Sequence, residues 1–137
     1  MAVIKELIRA EADGSLSFGN YELDQKTKLS DFAHQGDLYK VKTFQEITKL
    51  EKNGMFVYES VPGTAVTNLS QDGNRMAFTV EGNQDAQITV ELEADTEYDV
   101  RIAGTQIPAI KTNLGGKLSL SLELENASGV SVEIVKK

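Results

Sequence analysis

The chain has 137 residues, 40% of them hydrophobic, which is enough to fill the core of one domain or of two very small ones. A formal net charge of −7 makes the surface repel phosphate backbones and anionic lipid, so neither nucleic acid nor a membrane surface is an expected partner. Disulfides, thiol catalysis and cysteine-held zinc are excluded together, because there is no cysteine.

The start of the chain, Met1 to Arg9, has neither an apolar h-region nor a small-residue cleavage site. No run approaches the roughly 18 apolar residues of a membrane span. The default expectation is a cytoplasmic protein, with non-classical export or a surface location as the other route.

Residues 3–11 fit a short helix through Val3, Leu7 and Ile8, or a strand with Ile4, Glu6, Ile8 and Ala10 on one face. The turn signal Asp13-Gly14, followed by the strand-like run Leu16 to Leu23, favours the strand and a first hairpin. Gly19 inside that run signals a bulge or a close backbone approach. Residues 24–36 are polar and punctuated, and they predict a loop with at most one helical turn. Asp37 to Phe44 then alternates Tyr39, Val41 and Thr43 against Lys40 and Lys42, which predicts a strand.

Asn53-Gly54 is the strongest hairpin signal in the chain, since a type I′ turn needs positive φ at both central residues. A two-residue loop sets Lys52 against Met55, Glu51 against Phe56, Leu50 against Val57 and Lys49 against Tyr58. One face then carries Leu50, Met55 and Val57, and the other Ile47, Phe56 and Tyr58. Apolar side chains on both faces predict a central position in a packed unit. Val61-Pro62-Gly63 marks the best internal boundary, giving a hairpin-rich β subdomain over 1–61 and a sandwich over 62–137.

Beyond that boundary, period-two alternation is cleaner. Met76, Phe78 and Val80 share one face, as do Ile88, Val90 and Leu92, then Tyr98, Val100 and Ile102. Leu118, Leu120, Leu122 and Leu124 follow, and Val130, Val132 and Ile134 close the chain. With Thr64–Leu69 and Ile107–Thr112 added, about seven strands separated by turn signals predict an all-β antiparallel sandwich.

Leu92 to Ile102 resembles the corner of fibronectin type III and related immunoglobulin-like modules, where a leucine ends one strand and a tyrosine starts the next. Leu92 and Tyr98 hold those positions, and the resemblance implies that the Tyr98 hydroxyl returns to the backbone at the corner. Phe18 to Leu23, Gly36 to Phe44 and Tyr58 to Val66, with Lys111 to Ser119, make nearly the whole chain similar to short clostridial proteins often labelled "endosialidase". That label implies sialic acid chemistry. The nearest run to a sialidase Asp-box, Ser70 to Ala77, lacks its glycine, threonine and tryptophan, and the chain has no Trp.

Glu59, beside the Pro-Gly turn, is the best carboxylate for glycoside hydrolysis, weighed against a solvated rim position opposite Thr48. Asp95, Glu97 and Asp99 could suggest calcium, but alternation places Glu97 and Asp99 on a solvent face. One histidine, His34, cannot hold zinc alone. Gly115-Gly116-Lys117 lacks the first glycine and the Ser/Thr of a phosphate loop. No catalytic, cofactor or metal residue is expected. The expectation is a non-catalytic structural or binding protein that self-associates through apolar β surfaces, with Tyr21, Tyr39, Phe56 and Tyr58 as candidate interface residues. The alternative is a glycan-binding module or, further off, a small glycan hydrolase; glycan or another protein is then the partner.

Overall fold

The computed structural model describes residues 3–125 and 127–137. It is all-β, with the strands β1 (Ile8–Ala10), β2 (Leu16–Phe18), β3 (Thr27–His34), β4 (Asp37–Phe44), β5 (Ile47–Lys52), β6 (Met55–Val61) and β7 (Ala65–Asp72). They are followed by β8 (Arg75–Glu81), β9 (Ala86–Glu91), β10 (Glu97–Ile102), β11 (Thr105–Lys111), β12 (Lys117–Leu122) and β13 (Val130–Lys136). No helix among the described residues is long and apolar enough to cross a membrane.

The strands form two antiparallel sheets, one ordered β1-β2-β7-β8-β13-β10-β11 and the other β12-β9-β6-β5-β4-β3. The sheets pack face to face through their inward alternating residues. Phe18 on β2 and Phe78 on β8 meet Tyr58 on β6 edge-on, with centroids 5.3 and 5.8 Å apart. Around that contact Val41, Leu50, Val66, Met76, Ile88, Val90, Val100 and Ile134 are fully buried. The boundary expected at Val61 is corrected. Residues 1–61 and 62–137 both contribute strands to both sheets, with β2 pairing β7 and β6 pairing β9. Val61-Pro62-Gly63 is a crossing between the sheets of one body, because neither half can cover its own apolar faces.

The first hairpin forms as expected, with Ile8 opposite Phe18. The expected loop over 24–36 is instead mostly strand β3, paired with β4 and joined to it by Gln35 and Gly36 at φ 51° and 85°. A bulge explains the miss: Asp31 sits at φ 60° and the register shifts between Leu29 and Phe32. One extra residue puts Leu29 and Phe32 on the same inner side although their spacing is odd, so period two is lost to inspection.

A second bulge corrects the Asn53-Gly54 hairpin. The turn is as predicted, with φ of 52° and 80°, and Lys52–Met55 and Glu51–Phe56 pair as expected. The register then shifts, so Leu50 opposes Tyr58, Lys49 opposes Glu59 and Thr48 opposes Ser60. Val57 and Tyr58 therefore both turn inward, while Phe56 and Glu59 face out. The hairpin is central all the same: β5 and β6 are the middle strands of the six-stranded sheet.

A buried polar chain ties the β6–β7 crossing to β4 and β5. The Thr48 hydroxyl donates to the Thr64 carbonyl at 2.8 Å, so at 2.8 Å the Thr43 hydroxyl must donate to Thr48. Thr43 in turn accepts from the Asn20 amide, and the Thr64 amide donates to Thr48. Gly63 lies so close to the Phe44 carbonyl oxygen that a Cβ there would overlap it. At the β9–β10 corner the Glu93 amide donates to the Tyr98 hydroxyl at 3.1 Å.

Candidate functional surfaces

The four candidate aromatics do not form one patch. Tyr58 is fully buried and Tyr21 is 5% exposed, which corrects their assignment to an interface. Burial pushes both phenols above their ordinary ionisation range, and for Tyr21 the nearby Glu81 and Glu22 add to the shift. Phe56 lies half-buried on the outer face of the six-stranded sheet, with the Lys117 ammonium 4.8 Å from its centroid. Tyr39 lies half-buried at one end of the sandwich, edge-on to His34 at 6.0 Å.

The other candidates separate as well. Glu59 is opposite Lys49, not Thr48, in an open row on the outer sheet face. Asp95 pairs with Lys111 at 3.2 Å, and Glu97 lies 3.9 Å from Lys137. No three His, Asp or Glu side chains among the described residues are grouped to hold a metal ion. His34 donates through Nε2 to the Gly14 carbonyl at 2.9 Å, since a carbonyl can only accept.

The surface that sequence inspection passed over is the outer face of β3, β4 and β5. Lys28 is directly opposite Lys42, and Lys42 directly opposite Lys49. Lys40 lies one step along the same face, and Lys26 adjoins it at the start of β3. Like charges placed directly across a sheet repel, and nothing in the fold requires them there. Burial, and then Lys26, Lys49, Lys28 and Lys40, hold the Lys42 ammonium below the ordinary lysine range. Among the described residues, Lys26, Lys28, Lys40 and Lys42 join no ion pair, and Lys49 has only Glu51 at 3.5 Å. Beside this row Phe44 pairs with Ile47, both half-buried, and Val61 at the end of β6 is 54% exposed.

The loops at the end where β4 turns into β5 have the opposite character. Glu22, Asp24, Glu46, Glu81, Asp85, Glu123 and Glu125 gather there, and none joins an ion pair among the described residues. Asp85 is engaged locally, accepting from the Leu124 and Glu125 amides. One chain thus carries a basic sheet face and an acidic end. The alternation of Lys40 and Lys42 was visible in the sequence; the stacking of Lys28 and Lys49 beside them was not, because it depends on the β3–β4 and β4–β5 pairings.

Strand addition is a poorer route to assembly. Edge strand β11 carries Pro108, which has no amide to donate, β3 is bulged, and β1 is only 3 residues long. Edge strand β12, 6 residues long, keeps a regular ladder throughout. Comparison of the chain with family models, with curated proteins and with solved structures returns no match.

Proposed function

We propose that this is a non-catalytic structural protein that self-associates by docking the lysine face of one copy on the acidic end of the next. The row Lys28–Lys42–Lys49 carries the reading: a chain of net charge −7 keeps three lysines in direct cross-strand opposition at a cost in stability. Such a device is expected where it meets a partner. The chain's own acidic end, whose carboxylates join no ion pair among the described residues, supplies that partner. The strip of Phe44, Ile47 and Val61 beside the lysines adds apolar area that a protein surface covers and a hydrated polyanion does not. A long polyanion would also meet the negative surface beyond the patch.

Because two different surfaces meet, the contact is head-to-tail and builds a ring or an open chain. Complementation tests this. A variant with Lys28→Glu, Lys42→Glu and Lys49→Glu keeps the acidic end. A variant with Asp24→Lys, Glu46→Lys and Glu123→Lys keeps the basic face. By light scattering each folded variant alone is expected to be a monomer, and the equimolar mixture to recover a mass of two copies or more, because the two reversed surfaces are complementary as well. A mixture that stays monomeric, or a variant that assembles alone as the parent does, overturns the proposal.

A further inference from the structure

At the end of the sandwich opposite the acidic loops, the tips of β3–β4 and β5–β6 stand away from the β7–β8 hairpin. The cleft between them has a volume of ≈ 580 Å³. That falls in the range of about 300–1,000 Å³ typical of small-molecule sites. Its floor is apolar, from Leu16, Val57 and Leu69, all buried. Its walls carry Tyr39 and His34 on one side and Ser70, Gln71 and Asp72 on the other.

We infer that this cleft binds a neutral sugar of one or two rings, with the Tyr39 ring against a sugar face and Gln35, Ser70 and Gln71 on its hydroxyls. The polar groups decide the class. Asp13, Asp37 and Asp72 line the cleft, against which Lys52 is its one lysine, held by Asp37 at 3.5 Å. An anionic ligand, sialic acid included, is disfavoured there. The carboxylates are also committed: Asp13 accepts from Ser15, Asp37 from Asn53, and Asp72 from the Asn74 and Arg75 amides. A cation would have to compete with those bonds.

In contrast, the hydroxyl of Tyr39 and the side chains of Gln35, Ser70 and Gln71 make no hydrogen bond among the described residues. They offer donors and acceptors together above an apolar floor. A sugar ring presents that combination of an apolar C–H face and hydroxyls that both donate and accept. The cleft and the acidic end lie at opposite ends of the strands, so the site stands independently of assembly.

The test is an amide NMR titration of the ¹⁵N-labelled chain with glucose, galactose, N-acetylglucosamine, cellobiose, lactose and chitobiose. N-acetylneuraminic acid and spermidine serve as anionic and cationic probes. Saturable shifts at Gly14, Ser15, Gln35, Gly36 and Gly73 are expected with at least one neutral sugar. Tyr39→Ala should abolish them while the Gly63 and Gly82 amides keep their positions, and the exposed-site variant Gln35→Ala should weaken binding several-fold. Absence of a saturable shift with every neutral sugar overturns the inference. So do shifts that survive both substitutions, or shifts confined to spermidine or N-acetylneuraminic acid.

Discussion

Tyr58→Ala lowers the unfolding free energy by about 3–5 kcal/mol, the range for truncating a large buried aromatic side chain. Tyr58 is the largest fully buried side chain, and it joins the sheets by edge contacts to Phe18 and Phe78. Its hydroxyl lies 2.8 Å from the Thr64 hydroxyl, which in turn is 2.7 Å from Ser60. Truncation therefore leaves a cavity between the sheets and removes one member of a buried polar chain. Tyr58→Phe keeps the ring and costs about 1 kcal/mol, because Ser60 still partners Thr64. Denaturant unfolding of both variants separates the two contributions. The raised Tyr58 phenol fixes the sign at alkaline pH: its contribution is fully present below the unfolded value of 10.0 and is lost as pH rises above it. Tyr58→Phe should be less sensitive to pH in that window.

Lys42→Met makes the single chain more stable and unable to assemble. The middle lysine of the row has a lysine on each side, so removing its charge relieves two like-charge contacts. The expected gain is about 0.2–1 kcal/mol, reduced by solvent screening on an open face. The methylene stem is kept, so packing changes little. Because the Lys42 ammonium is held below the ordinary 10.5, its destabilising effect is present at neutral pH and is relieved as pH climbs through the lowered value toward 10.5. The parent chain gains stability over that window and Lys42→Met does not. Thermal melting and light scattering on the same samples read both effects. A purely structural lysine would move the first without the second, and loss of assembly through misfolding would lower the melting temperature where a rise is expected.

Sequence alternation located β8, β9, β10, β12 and β13 because period two survives along each, as in Leu118, Leu120 and Leu122, whereas the irregular β7 and β11 show in the sequence only as short candidate runs. It failed where a single residue is inserted. The bulge at Asp31 hid β3 inside a polar stretch, and the bulge at Val57 carried Tyr58 from the expected outer face to the centre of the core. Only the partner strand shows which residue is extra, so neither bulge has a local signature. The same limit concealed the lysine row, whose members lie on three strands, and the sharing of both sheets between the halves, which depends on pairings such as Leu16 with Leu69. The end cleft was invisible for the same reason: Tyr39, Gln35 and Ser70 are brought together by hairpin tips far apart along the chain.

Native mass by light scattering, at low ionic strength over a range of protein concentrations and then with rising salt, tests self-association most directly. Charge-driven docking weakens as the screening length falls from about 30 Å at 0.01 M to about 3 Å at 1 M ionic strength. The expected result is a mass that is a multiple of 15.0 kDa, grows with concentration, and returns to 15.0 kDa as salt is added. A mass of 15.0 kDa at every concentration and salt contradicts the account.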